Sequence, residues 1–160
     1  AGRDDGKRAT EAAHRLEQAR ASLSELADLR VHNLAFCTEV NSFGEFREFE
    51  TKKFQPGQQV LLYAEIENFF SEATPEGYHT ALRSRYQVLD AQGHVLGEKE
   101  FPLTEEVCRN RRRDFFIRYF LDLPTDQVYD GQRYTLRLTV EDTLGEKTGE
   151  SSIEFTIARP

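Results

Sequence analysis

Methionine and tryptophan are absent from the 160 residues, and cysteine occurs only twice, as Cys37 and Cys108. Two thiols so far apart are too few for a disulfide framework and are not spaced as a metal knuckle. They leave the redox compartment open. Cations are also in deficit: 21 Lys and Arg stand against 28 Asp and Glu, a formal net charge of −7. General affinity for nucleic acid is therefore not expected, because phosphate binding needs a surplus of Lys and Arg. No apolar stretch approaches the about 18 residues of a membrane span, so no direct membrane insertion is expected, and no basic-then-apolar leader opens the chain. Without a methionine, Ala1 is not an intact translation start, and a connector-like opening suggests a module of a longer protein. Gly-x-Ser-x-Gly motifs and glycine-rich phosphate loops are missing. His14, His32, His79 and His94 are scattered without short-range ligand spacing. The expectation is a chain that is not an enzyme and holds no cofactor and no metal.

What is present is aromatic and strongly patterned. Twelve Phe and six Tyr supply bulky core material. Residues 1–29 read as a disordered start, over 1–7, followed by a helical connector. From Arg8 to about Leu29 the chain is rich in Ala, Leu, Glu, Gln and Arg, all strong helix formers. Ala12, Leu16, Ala19, Leu23 and Leu26 fall on one stripe at helical spacing. The stripe is narrow and half alanine, so the helix needs a partner surface. It could dock on its own domain, pair with a second copy as a homodimer, or join the rest of a larger chain.

Residues 30–160 read as one β domain, because the apolar period there changes to two. Val31–Thr38 is a first strand. Residues 41–57 are irregular, with Phe43, Phe46, Phe49 and Phe54, and end in the turn signal Pro56-Gly57. In the second strand Val60, Leu62, Ala64 and Ile66 face inward, with Tyr63, Glu65 and Glu67 outward. Leu82, Tyr86 and Val88 point inward in the third, and His94–Phe101 follows after a tight turn. Phe115, Ile117, Tyr119 and Leu121 belong to the fifth, Tyr134, Leu136, Leu138 and Val140 to the sixth, and Ile153, Phe155 and Ile157 to the seventh. The expected fold is mainly β, an antiparallel immunoglobulin-like β-sandwich of about seven strands with one N-terminal α-helix. Tyr134, just after Asp130-Gly131, stands where a tyrosine corner would close the preceding loop.

The runs Phe54–Phe69, Arg111–Phe116 and Tyr134–Asp142 carry a resemblance to a C-terminal domain of uncharacterised planctomycete proteins. The last third is similar, more loosely, to bacterial immunoglobulin-like and fibronectin-type modules. The resemblance covers roughly residues 30–158 and implies a fold and a setting in the cell envelope, periplasmic or extracellular. It implies no activity, and the residues themselves leave a cytoplasmic setting open.

Strand direction alternates in a sandwich, so the loops can be sorted by pole. One pole should gather Phe69, Phe70, Glu72, Glu76 and Tyr78 with Glu105, Glu106, Cys108, Arg109, Arg111, Arg112 and Arg113. Asp142, Glu146, Lys147 and the helix should join them. Binding loops on a rigid scaffold commonly occupy such an end. Arg109 to Arg113 suit phosphate, sulfate or carboxylate groups. Alternatively they pair with the acidic loops that share their pole in a solvated ion network, which the overall charge favours. Phe69, Phe70 and Tyr78 could stack on a sugar, although Phe beside Phe is more often a core plug. Glu67, Asn68, Glu141 and Asp142 could converge as oxygen ligands for Ca²⁺, but ordinary polar strand ends are the better reading. Glu65 and Glu67 should form cross-strand ion pairs with Arg118. Cys37 and Cys108, at opposite ends of the sandwich, should be free thiols, with Cys37 buried. The expected function is a non-catalytic β-sandwich module for protein–protein interaction or structural spacing within a larger bacterial protein. The partner would be another protein or the remainder of the chain, and binding of carbohydrate or another small ligand at the aromatic- and arginine-bearing pole is the alternative.

Overall fold

The computed structural model describes the backbone of residues 2–158 and the side chains of residues 4–158. The elements in chain order are α1 (Gly2–Leu26), β1 (Arg30–Ser42), β2 (Glu45–Glu48), β3 (Lys53–Phe54), β4 (Gln59–Glu67) and β5 (Glu72–Thr74). They continue with β6 (Gly77–Leu89), β7 (Val95–Glu100), β8 (Thr104–Cys108), β9 (Phe115–Asp122), β10 (Arg133–Asp142) and β11 (Lys147–Ile157). The fold is mainly β, an antiparallel sandwich with one helix at its N-terminal end. One sheet has the order β2-β1-β4-β9. In the other, β3, β11, β10 and β6 lie side by side; β5 pairs with the start of β6, and β7 and β8 pair in turn along it. Every pairing is antiparallel except that of β3 with β11, which joins Lys53 to Thr156 and Phe54 to Ile157.

The two-residue rhythm accounts for the main core. Val60, Leu62, Ala64 and Ile66 of β4 face Leu136, Leu138 and Val140 of β10, and all are at most 2% exposed. Each Val, Leu and Ile among them contributes about 1.5–3 kcal/mol relative to exposure, which is what binds the two sheets. At one open side between them, Phe101 lies flat on Tyr119 at 3.6 Å between ring centroids, and the Tyr119 hydroxyl meets Ser84 Oγ at 2.6 Å. The Tyr134 hydroxyl accepts the Tyr129 N–H at 2.8 Å, closing the loop before β10 as the tyrosine-corner reading expected.

The structure departs from the sequence reading in four places. Helix α1 starts at Gly2, so the segment expected to be disordered is helical from there, and Ala1 lies outside the described residues. Asp4 and Asp5 in the first turn complement the helix dipole, and Arg8 pairs with Asp4 at 3.1 Å. Four short strands, β2, β3, β5 and β8, add to the seven expected. Two of them organise the irregular stretch 41–57.

Third, the outward side of β4 is not in water. Leu61, Tyr63 and Glu65 are buried along with their inward neighbours. Ala35, Cys37 and Val40 join Leu61 and Tyr63 in a second, smaller cluster, with Phe46 and Phe116 packed against it. Phe46 stacks on Tyr63 at 4.2 Å. The Tyr63 hydroxyl accepts the Gly44 N–H and donates to Glu65 Oε1, both at 2.8 Å. Fourth, the expected Glu65 and Glu67 pairs with Arg118 do not form. Arg118 lies opposite Tyr63 and donates to the Val40 carbonyl at 3.3 Å, whereas Glu65 lies opposite Phe116. A bulge in β1, with Asn33 at a φ of 50°, turns the Asn33 amide onto Glu65 Oε2 at 3.0 Å. Glu67 pairs with Arg30 at 3.3 Å, and its other oxygen lies 3.4 Å from His32 Nε2.

Cys37 is buried, Cys108 is half-buried, and both are free.

Candidate functional site

The loops expected to share a pole do meet, and the C-terminal half of α1 lies across them. Asn68, at the end of β4, is the centre of the contact. Its φ of 65° turns the chain out of the sheet. Its Oδ1 accepts the Ser24 hydroxyl at 3.0 Å and its Nδ2 donates to the Asp28 carbonyl at 3.0 Å. The Asn68 carbonyl accepts Lys147 Nζ at 2.8 Å, and the same ammonium reaches the Ser24 carbonyl at 3.3 Å. One lysine thus ties the last turn of the helix to two loops.

The β10–β11 turn is fixed by Asp142, which is fully buried and accepts the Phe70 N–H at 2.6 Å and the Gly145 N–H at 3.0 Å. Those bonds use both carboxylate oxygens on backbone donors. Glu141 pairs instead with Arg83 at 3.7 Å. The four oxygen-bearing residues considered for Ca²⁺ therefore serve different partners rather than one centre.

The arginines of the 109–113 segment divide between the sandwich and the helix. Arg111 bonds to Glu25 and Arg113 forms an ion pair with Glu17, both on α1, while Arg112 bonds to Glu106 and lies 3.8 Å from Asp114. The Arg111 guanidinium also lies over the Tyr78 ring at 5.2 Å, and that of Arg112 over Phe115 at 4.7 Å. Arg109 is exposed and stands outside these pairs. Arg112 thus pairs as the ion-network reading expected, whereas Arg111 and Arg113 take carboxylates of the helix in place of the acidic loops.

The aromatic candidates are spread through the same layer. Phe69 is 7% exposed and packs edge-on to Phe115 at 5.6 Å, so it is a core plug. Phe70 and Tyr78 are half-buried, with Arg111 on the Tyr78 face. Gly77 permits this layering, because a Cβ there would stand 2.4 Å from the Cys108 carbonyl oxygen. Between helix and loops remains a crevice of about 100 Å³, lined by Glu17, Ser24, Asn68, Ser71, Arg111 and Arg113. That is below the about 300 Å³ at which small-molecule sites begin. Within the crevice, an anion would compete with Glu17 and Glu25 for Arg113 and Arg111.

Glu17 and Glu25 were not among the sequence candidates. Their spacing of eight residues, about two turns, sets them on one helix face, but nothing in the pattern names their partners. The leucine stripe, which was legible, is not what docks. Leu16 is 71% exposed, Leu23 67% and Leu26 85%. The helix therefore meets its own domain through Glu17, Ser24 and Glu25 and turns its apolar side to water.

No family model and no curated protein matches the chain. Among solved structures it is similar to the Pseudomonas fluorescens alkylpurine DNA glycosylase AlkC, bound to DNA containing an abasic site analog, with 16% identity and a TM-score of 0.45 over 83% of this chain and 31% of that one. It is similar to the sporulation control protein Spo0M of Bacillus subtilis at 8% identity and a TM-score of 0.48, over 84% of this chain and 51% of that one. A Bacteroides uniformis beta-glucuronidase follows at 8% identity and a TM-score of 0.40, over 79% of this chain and 12% of that one. The chain spans about half or less of each of these proteins, and likenesses of this degree carry nothing about activity.

Proposed function

We propose that the chain is a non-catalytic, immunoglobulin-like β-sandwich module of a larger bacterial protein and that it works through protein–protein contact. The observation that carries this reading is the way α1 is held: a polar face bonded to the sandwich pole and three leucines left in water. Exposed aliphatic side chains gathered on one helix face mark surfaces that another protein covers. The strand order supports the immunoglobulin-like part of the proposal, with β1-β4-β9 against β7-β6-β10-β11 and a tyrosine corner at Tyr134. The envelope setting follows from the resemblance to planctomycete domains.

The alternative, carbohydrate binding at the pole, lacks an open stacking platform, since Phe69 is in the core and Arg111 covers Tyr78. A glycan array separates the two. The protein-contact reading expects no glycan retained above background. Retention that is lost in Phe70→Ala or Arg109→Ala would replace it with the carbohydrate reading.

A further inference from the structure

We infer that the exposed face of α1 is a self-association surface whose occupant is α1 of a second copy of this chain, running antiparallel. The inference rests on the protein-contact reading above and names the partner. Its first support is spacing. Ala9, Ala12, Leu16, Ala19, Leu23 and Leu26 alternate steps of three and four, the 3.5-residue period of a helix pair rather than a broad core-facing stripe. All six are exposed, and the docking groups Glu17, Ser24 and Glu25 lie off this seam on the side that meets the sandwich.

Charge and size then select the arrangement. Arg15 flanks the seam on one side and Arg20 on the other, both exposed. In a parallel pair, Arg15 of each copy would lie beside Arg20 of the other, at both edges, and like charges so placed oppose association. An antiparallel pair centred between residues 17 and 18 avoids this. Arg15 then faces the second copy's Ser22, and Arg20 its Ala13. In the same register every leucine meets an alanine: Leu16 opposite Ala19, Leu23 opposite Ala12 and Leu26 opposite Ala9. Large against small in each layer lets the helices approach toward the closer end of the about 8–10 Å range of packed helices. A slip of one heptad either way breaks the match. One slip sets Arg20 against Arg20; the other sets Arg15 against Arg15 and puts Asp5 over Leu23.

The paired segment spans about 18 residues, or about 27 Å of helix. A seam this short gives a concentration-dependent dimer, and sedimentation equilibrium of the full chain is the test. The expected result is a dimer that Leu16→Glu with Leu23→Glu converts to monomer, while the near-ultraviolet tyrosine signal of the sandwich is retained. Ser22 supplies the test of direction. At low salt, Ser22→Glu should tighten the dimer about threefold to fivefold, the worth of two exposed helix-surface pairs with Arg15, and Ser22→Arg should loosen it by a similar factor. A chain that stays monomeric up to about 100 µM overturns the inference. So does a dimer indifferent to Leu16 and Leu23, or one indifferent to both Ser22 changes. None of these outcomes touches the glycan result, so a heterologous protein partner would remain open if self-association failed.

Discussion

At the scale of single residues, the most consequential contacts are hydroxyls and carboxylates that hold the backbone of loops. Tyr134 is 1% exposed, and its hydroxyl is the acceptor for the Tyr129 N–H. Tyr134→Phe keeps the ring and strands that donor, so it should lower unfolding stability by about 1–2 kcal/mol, read as a shift in urea midpoint without a change in slope. Burial pushes the Cys37 thiol from 9.0 up to about 11, with Glu48 adding to it, and pushes the Tyr63 phenol from 10.0 up to about 12, with Glu65 adding to it. Both groups are held protonated in the fold, so their contribution is complete at lower pH. It is lost as pH rises from 9 to 11 for Cys37 and from 10 to 12 for Tyr63. Denaturant midpoints should therefore fall across pH 9 to 12, and Cys37→Ala should flatten the curve from 9 to 10 while leaving the fall due to Tyr63 above it. An unchanged slope in the variant would contradict the assignment. Alternation told correctly that Tyr63 and Glu65 point outward. It could not tell that outward is not solvent, because the covering ring, Phe46, comes from a stretch with no period of its own.

At the scale of elements, strands were far more legible than their short companions. β4, β6, β9, β10 and β11 announce themselves by the two-residue alternation that a half-buried strand requires. β3 has two residues and β5 three, too few to show a rhythm. Helix α1 was legible as a helix and its stripe as a stripe, yet the docking face was not, because polar side chains at helical spacing look the same whether solvated or bonded. Where the chain leaves the helix, Gly149 of β11 lets Leu29 cross close by: a Cβ at Gly149 would lie 2.6 Å from the Leu29 carbonyl oxygen and 3.2 Å from Val31 Cγ2. Gly149→Ala should force that backbone aside and cost about 1–3 kcal/mol in a denaturant melt. Because Leu29 begins the segment that carries the helix, the same variant should loosen α1. A fully native melt would show that the crossing is less tight than described.

At the scale of the whole molecule, two sheets packed face to face could be read from periodicity, and strand direction sorted the loops by pole. That much placed Phe69, Arg111 and Lys147 at one end. Strand direction also brought the helix to that pole; what could not be read was which of its groups dock there, since its ion pairs join residues such as Glu25 and Arg111 that are 86 positions apart. The central claim is that α1 is held by these polar contacts rather than by its leucines. Hydrogen exchange of the α1 amides tests it most directly, with Glu25 and Arg111 exchanged one for the other. The account predicts that Glu25→Arg or Arg111→Glu alone loses protection between Ala21 and Leu26, that the double swap restores it, and that Leu16→Glu with Leu23→Glu, measured under dilute monomeric conditions, leaves it in place. Protection that ignores the charge reversals and collapses on removing the leucines would contradict the account.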